Sequence, residues 1–158
     1  MSAWNDALVD RDRRQPVVTS LIDLAASDDY KGRADAGRAL AVFAEAAQAR
    51  ETLLRLVLDR GDTFVTLTTA EALLRRQDAV GLAIVAEALA SADAQQSSYV
   101  EEAVSAVFTM FASERDHALE ACDALSQDAG DAVRQGAGEL REMLAQIHPV
   151  LYPQDPAG

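Results

Sequence analysis

The residues in short supply exclude several kinds of protein. One cysteine, Cys122, among 158 residues leaves no internal disulfide and no Cys-x-x-Cys pair for zinc, so a reducing compartment is expected. Aromatic residues make up only 5% of the chain, and β-branched runs bounded by turn signals are nearly absent. The closest approaches, Val17-Val18 and Phe64-Val65, both open helical patterns, so no sheet is expected. No run approaches the roughly 20 apolar residues that span a bilayer. The first thirty positions carry Asp6, Asp10, Asp12, Asp23, Asp28 and Asp29, which removes the apolar core of a signal peptide. A cytoplasmic protein is expected. Lysine is nearly missing too, since Lys31 is the one exception among 14 bases.

What is abundant is Ala, Leu and Val, a composition that forms helices at little entropic cost and allows them to pack closely. The length suits one domain with a sizeable core. Charge is unevenly spread: Met1 to Arg76 has 11 bases and 12 acids, whereas Gln77 to Gly158 has 3 bases and 14 acids. The C-terminal half therefore holds −11 of the net −12. Such a surface repels nucleic acid, whose affinity comes from Lys and Arg on phosphates, and it repels anionic membranes for the same reason. A basic protein surface, a cationic ligand or plain solubility each fit.

Apolar spacing divides the chain into helices. A short capping helix is expected over residues 4–12, a polar break at Arg11 to Gln15, and Pro16 as the first residue of the next helix. Val17, Val18, Leu21, Ile22, Leu24 and Ala25 form its buried face. Gly32 is expected to open a helix through Ala36, Leu40 and Phe43, with Gln48 to Glu51 turning into Leu53 to Leu58. Gly61 reads as a helix C-cap and Asp62 or Thr63 as an N-cap. Val65 to Leu89 forms the centre: one helix, a polar turn at Arg75 to Asp78, and a second helix through Val80, Leu82, Ile84, Val85, Ala88 and Leu89. Ser91 to Ser98 is expected to be a loop, followed by helices over 99–112, through Ala118 to Leu125, and over 132–147. The tail beyond Pro149 either folds back through Val150, Leu151 and Tyr152 or stays loose.

A repeat runs through these helices. Leu40, Leu73, Val107 and Leu140 coincide when the second helix of each pair is aligned, at spacings of 33, 34 and 33. Four positions earlier stand Ala36, Thr69, Ala103 and Gly136, all small. Two helices per unit at this period suggest an α-solenoid. The units fall at about 16–48, 50–76, 78–113 and 114–147, within a single domain over 1–148 and a tail over 149–158.

Val65, Thr69, Ala72 and Leu73, followed by Asp78 and the Val80 to Leu89 helix, follow the pattern Val-Arg-x-x-Ala-x-x-Ala-Leu with an Asp turn. Asp131-Ala132-Val133-Arg134 with Ala137 and Leu140 is similar, one residue out of step at its end. In these residues the chain resembles the HEAT-repeat family, particularly its short bacterial kind, over about residues 16–147. The first unit departs from the pattern with Gly32-Arg33, and the third with Tyr99-Val100. The resemblance implies an all-α, right-handed α-α superhelix of about four helical hairpins that mostly binds proteins. Some HEAT-like relatives are enzymes, namely alkylpurine DNA glycosylases and bilin lyases. The glycosylases need a basic, aromatic groove, for which this chain, with Trp4 as its one tryptophan, is poorly equipped.

The densest polar cluster is Glu114, Asp116, His117, Glu120 and Asp123. Glu114, His117 and Glu120 share a helical stripe that could serve a metal ion or acid–base chemistry, or could be a solvated face. The only second imidazole, His148, lies past a helix end. Cys122, flanked by Ala118, Leu119 and Leu125, reads as a small core residue. Gly136 and Gly138 lack the context of a phosphate loop and read as close helix contacts. The acids Glu101, Glu102, Asp131, Glu139 and Glu142, together with Asp128, fall on adjacent units and form the expected partner-binding strip. The expectation is a non-catalytic module without cofactor or metal that meets a basic protein, for example as an immunity, antitoxin or adaptor protein. A small enzyme using the His117 cluster and a structural homodimer remain as alternatives.

Overall fold

The computed structural model describes residues 2–128 and 130–154, with side chains from residue 9 onward. Eight α-helices follow one another: α1 (Ser2–Ala25), α2 (Tyr30–Leu40), α3 (Ala47–Val57), α4 (Thr63–Leu74), α5 (Ala79–Leu89), α6 (Ala94–Phe108), α7 (Ala112–Asp128) and α8 (Asp131–Ala145). A short 3-10 turn, Ala41–Phe43, follows α2. Among the described residues there is no β-strand, only an isolated parallel bridge between Phe111 and Leu151.

Short Asp-led turns set most of the starts. Asp29 caps α2 by accepting from the Lys31 N–H, Asp62 caps α4 through Phe64, Asp78 caps α5 through Gly81, and Asp93 caps α6 through Gln96. Each carboxylate satisfies a donor that the helix itself leaves open. At α6 the cap is reciprocal, because Gln96 Oε1 in turn accepts the Asp93 N–H at 3.0 Å. This pair starts the helix inside the segment expected to be a polar loop.

Three further boundaries differ from the sequence expectation. The capping helix, the break at Arg11 to Gln15 and the helix after Pro16 are one continuous α1 with Pro16 inside it. Residues 9–17 are all exposed, so water can serve the Asp12 carbonyl that Pro16 leaves without an N–H. The side chains of residues 4–8 of that expected capping helix lie outside the described ones. The α2 to α3 turn comes at 44–46 rather than 48–51, and α3 starts at Ala47 without a side-chain cap. Gly61 does not cap α3, whose C-cap is Leu58, and its φ is not positive. Instead its N–H donates to Asp59 at 2.9 Å.

The helices contact both consecutive and alternate neighbours. α2, α4 and α6 pack in succession, and so do α1, α3, α5 and α7. Leu40, Leu73 and Val107 are buried and stand within a residue of the C-terminal ends of α2, α4 and α6. Leu140 is buried as well, but sits in the middle of α8. That last helix packs chiefly against α5 and α7 and touches α6 only lightly. α5 is consequently enclosed on nearly every side, with Gly81, Leu82, Ile84, Val85, Ala86, Ala88 and Leu89 all buried. Gly136 makes the closest approach possible: a β-carbon there would overlap the Ala86 carbonyl. Gly138, two residues on, faces open space and makes no such contact.

Within the described residues the tail folds back at Val150 and Leu151, one of its two expected courses. Val150 N–H donates to Thr109 O at 2.9 Å, Leu151 N–H to Met110 O at 2.8 Å, and Ala112 N–H to Leu151 O at 2.8 Å. No described helix is long and apolar enough to cross a membrane.

Candidate functional site

The acidic strip is built on α6 and α8. On α6 the buried face is Val100, Ala103, Val104 and Val107, which leaves Glu101 and Glu102 exposed. On α8, Ala137, Leu140 and Leu144 turn inward and Glu142 outward. Glu139 is half-buried and accepts the Ser97 hydroxyl at 2.8 Å, joining α8 to the first turn of α6. Asp131 projects at the start of α8 and pairs with Arg134. Two of the five expected contact residues are thus engaged within the chain, while Glu101, Glu102 and Glu142 carry no ion pair among the described residues. Asp128 ends α7, exposed.

The bases of this half are all engaged. Arg115 pairs with Asp116 at 2.7 Å and donates to Ile147 O at 2.9 Å, Arg134 pairs with Asp131, and Arg141 pairs with Asp123 at 2.6 Å. Asp78 and Glu87 are paired with Arg76 and Arg50 of the other half, whereas Glu101, Glu102 and Glu142 face solvent without an ion pair among the described residues, which makes the potential there negative.

The His117 cluster is dispersed. Glu114 and His117 border a cleft of about 110 Å³ with Gln77 and Asp78, where α7 passes the α4–α5 turn. Asp116 and Asp123 point to their arginine partners instead. Among the described residues no three His, Cys, Asp or Glu side chains are grouped to hold a metal ion. Cys122 is fully buried, and that burial, with Asp123 beside it, pushes its thiol up to about 12. The thiolate needed for nucleophilic work is therefore suppressed.

Two surface features were missed by the sequence reading. Tyr30 and Phe64, both partly exposed, meet edge to face with centroids 6.0 Å apart, and Lys31 Nζ lies 5.9 Å from the Tyr30 centroid. With Asp35, Arg38 and Asp62 they line a cleft of about 520 Å³ across α2 and α4. A second cleft of about 590 Å³ opens between the N-termini of α4 and α6. Its signal in the sequence is the recurrence of Asp29, Asp62 and Asp93 at spacings of 33 and 31, which places one carboxylate at the start of each stacked helix.

Ion pairs tie these turns together. Arg33 is held by Asp59 at 2.9 Å and by the carbonyls of Ser27 and Asp28, both at 3.0 Å, and its hydrogen bond to Asp59 holds its pKa above the usual value. Arg76 bridges Asp78 and Glu45 and reaches the Ala41 carbonyl at 2.7 Å, likewise stabilising its charged form. Compared with models of protein families, with curated proteins and with solved structures, the chain matches none.

Proposed function

We propose that this chain is a non-catalytic protein-binding module with a HEAT-like superhelical architecture, and that its acidic C-terminal half meets a basic partner. Support for the architecture comes from the alternate packing of α2, α4 and α6 and from the matched positions of Leu40, Leu73 and Val107 in those helices. One observation carries the binding reading. Every Arg of the C-terminal half is engaged within the chain, whereas Glu101, Glu102 and Glu142 are exposed on α6 and α8 with no ion pair among the described residues. Uncompensated charge of one sign accelerates encounter with an oppositely charged protein and selects against acidic ones.

An immunity or antitoxin protein that neutralises a basic toxin, or an adaptor, would use such a surface. The experiment is capture from native lysate by the intact chain and by a Glu101→Lys, Glu102→Lys, Glu142→Lys variant, at low and high salt. Asp131 and Glu139 are left in place because they already hold Arg134 and Ser97. Loss of a salt-sensitive basic partner in the variant, with melting temperature retained, supports the reading. Undiminished capture rejects this surface.

A further inference from the structure

We propose that the C-terminal end of the fold anchors a helix of the basic partner, whose apolar side chains cover Met110, Phe111, Val150 and Leu151 while its Lys or Arg side chains meet Glu101 and Glu102; for the partner's charge this rests on the foregoing reading. The tail is where the apolar contact is built. Three backbone hydrogen bonds fasten it to the segment between α6 and α7, from Val150 N–H to Thr109 O, from Leu151 N–H to Met110 O and from Ala112 N–H to Leu151 O. A tail drawn back by hydrophobic contact would bury its side chains, yet Val150 is 66% exposed, Tyr152 61% and Leu151 47%. Met110 and Phe111, on the segment it pairs with, are exposed as well. Nearly half of the large apolar side chains exposed in the described fold thus stand on two hydrogen-bonded segments. Such a concentration marks a contact site, and a backbone already fastened has little left to order on binding.

The shape of the occupant follows from α6. The row formed by α2, α4 and α6 is not continued by α8, which packs on α5 and α7 and touches α6 only lightly. The face of α6 turned from the core is Glu101, Glu102, Ser105, Ala106 and Thr109, all exposed. Met110 stands eight residues after Glu102, just past the helix end, or about 12 Å further along. Ser105 and Ala106 between them are small, so another helix can lie close. A helix laid along this face meets carboxylates at one end and apolar side chains two turns away at the other.

Charge decides between occupants. Glu101, Glu102 and, on α8, Glu142 have no ion pair among the described residues. Arg115, in the first turns of α7, is already held by Asp116 at 2.7 Å and by Ile147 O at 2.9 Å. A second copy meeting patch to patch would bring the two acidic flanks toward each other. Nucleic acid and anionic membranes are repelled by the same carboxylates. A helix with an apolar stripe and Lys or Arg toward one end satisfies both parts of the surface.

The test uses the full chain and a synthetic amphipathic helix of about 18 residues, with Leu and Phe at one end of a face and Lys two turns away. Its controls are a scrambled peptide of the same composition and one with Glu in place of Lys. Fluorescence anisotropy at low and high salt, with amide chemical shifts, reads the binding. Saturable, salt-weakened binding with shifts at residues 101–111 and 150–152 is expected, about tenfold tighter than either control. Met110→Ser with Leu151→Ser should weaken it about tenfold at unchanged melting temperature, since the bonds that fasten the tail are all backbone. Glu101→Lys with Glu102→Lys should weaken it about threefold at low salt and less at high salt. Binding no tighter than the scrambled peptide, shifts elsewhere, or indifference to Met110→Ser with Leu151→Ser overturns the proposal. So does a concentration-dependent dimer of the parent chain that the same two substitutions abolish. Binding that needs Met110 and Leu151 but ignores the Glu101 and Glu102 reversals keeps the apolar anchor and rejects the acidic surface. The converse rejects the anchor and leaves the acidic surface standing.

Discussion

Gly136 of α8 lies so close beneath Ala86 of α5 that a β-carbon at 136 would overlap the Ala86 carbonyl group. Backbone has little room to give, because α5 is buried on almost all its faces. Gly136→Ala should therefore destabilise by more than about 2 kcal/mol through overpacking. Gly138→Ala meets nothing within 4 Å and lies in the same helix. It should be neutral or stabilise by up to about 1 kcal/mol through lost unfolded-state entropy. Denaturant midpoints of the two variants measure the contrast directly, and equal effects would show that α8 does not dock on α5 as described.

Gln77 has φ of 54°, the left-handed region that side chains other than glycine enter at a cost. It follows the end of α4, and its N–H donates to Leu74 O at 3.0 Å. Glycine is the favoured residue just past a helix end in this conformation. Gln77→Gly should raise stability by about 1 kcal/mol, read as a higher melting temperature without change in helical content.

How much of this could be read from the sequence depends on what kind of signal each feature leaves. The α4–α5 pair was legible because Val65, Leu73, Ile84 and Val85 repeat at helical spacing and the turn between them is polar. Its cap at Asp62 was legible by residue type. The start of α6 was not, because Ala94 to Ser98 is polar, and its helicity depends on Asp93 and Gln96 exchanging hydrogen bonds and on Gln96 Nε2 reaching Leu58 O at 2.9 Å across the fold. Pro16 misled for the opposite reason, since a local rule for helix starts gives way where the helix is solvent-bathed.

The site shows the same division. Exposure of Glu101, Glu102 and Glu142 followed from the apolar spacing of their helices. Engagement of Glu139 by Ser97 depends on how α8 meets α6, and no spacing within one helix encodes that. Gly136 and Gly138 looked alike in sequence, yet only one faces α5.

Cys122 offers a check on the buried face of α7. With its thiol raised to about 12 and its side chain fully buried, native protein should resist alkylation at pH 8. Modification should proceed only at the rate of local or global opening. Rapid labelling by iodoacetamide in the native state, followed by mass spectrometry, would mean that α7 is not seated on α8.

Arg76 and Asp78 form the junction with the clearest dependence on pH. Asp78 Oδ1 accepts the Gly81 N–H at 2.9 Å to cap α5, and Oδ2 meets Arg76 at 2.7 Å. Burial alone would raise the Asp78 pKa, but the hydrogen bonds from Arg76 and Gly81 outweigh it and hold the carboxyl below its usual range. Glu45 is lowered as well, by its backbone hydrogen bond and then by Arg76. A carboxyl depressed in the folded state binds protons more readily when unfolded, so its contribution is present at neutral pH and fades as pH falls through the folded value, below about pH 4. Asp78→Asn keeps a competent N-cap and removes the charge. It should cost about 1 kcal/mol at pH 7, a figure limited by the partial exposure of the pair. As pH falls below about 4 the gap between variant and parent should narrow, because the parent's carboxylate becomes protonated too. Urea unfolding at pH 7 and pH 3 measures it, and a gap of the same size at both would mean that the Arg76 pairing contributes nothing to the junction.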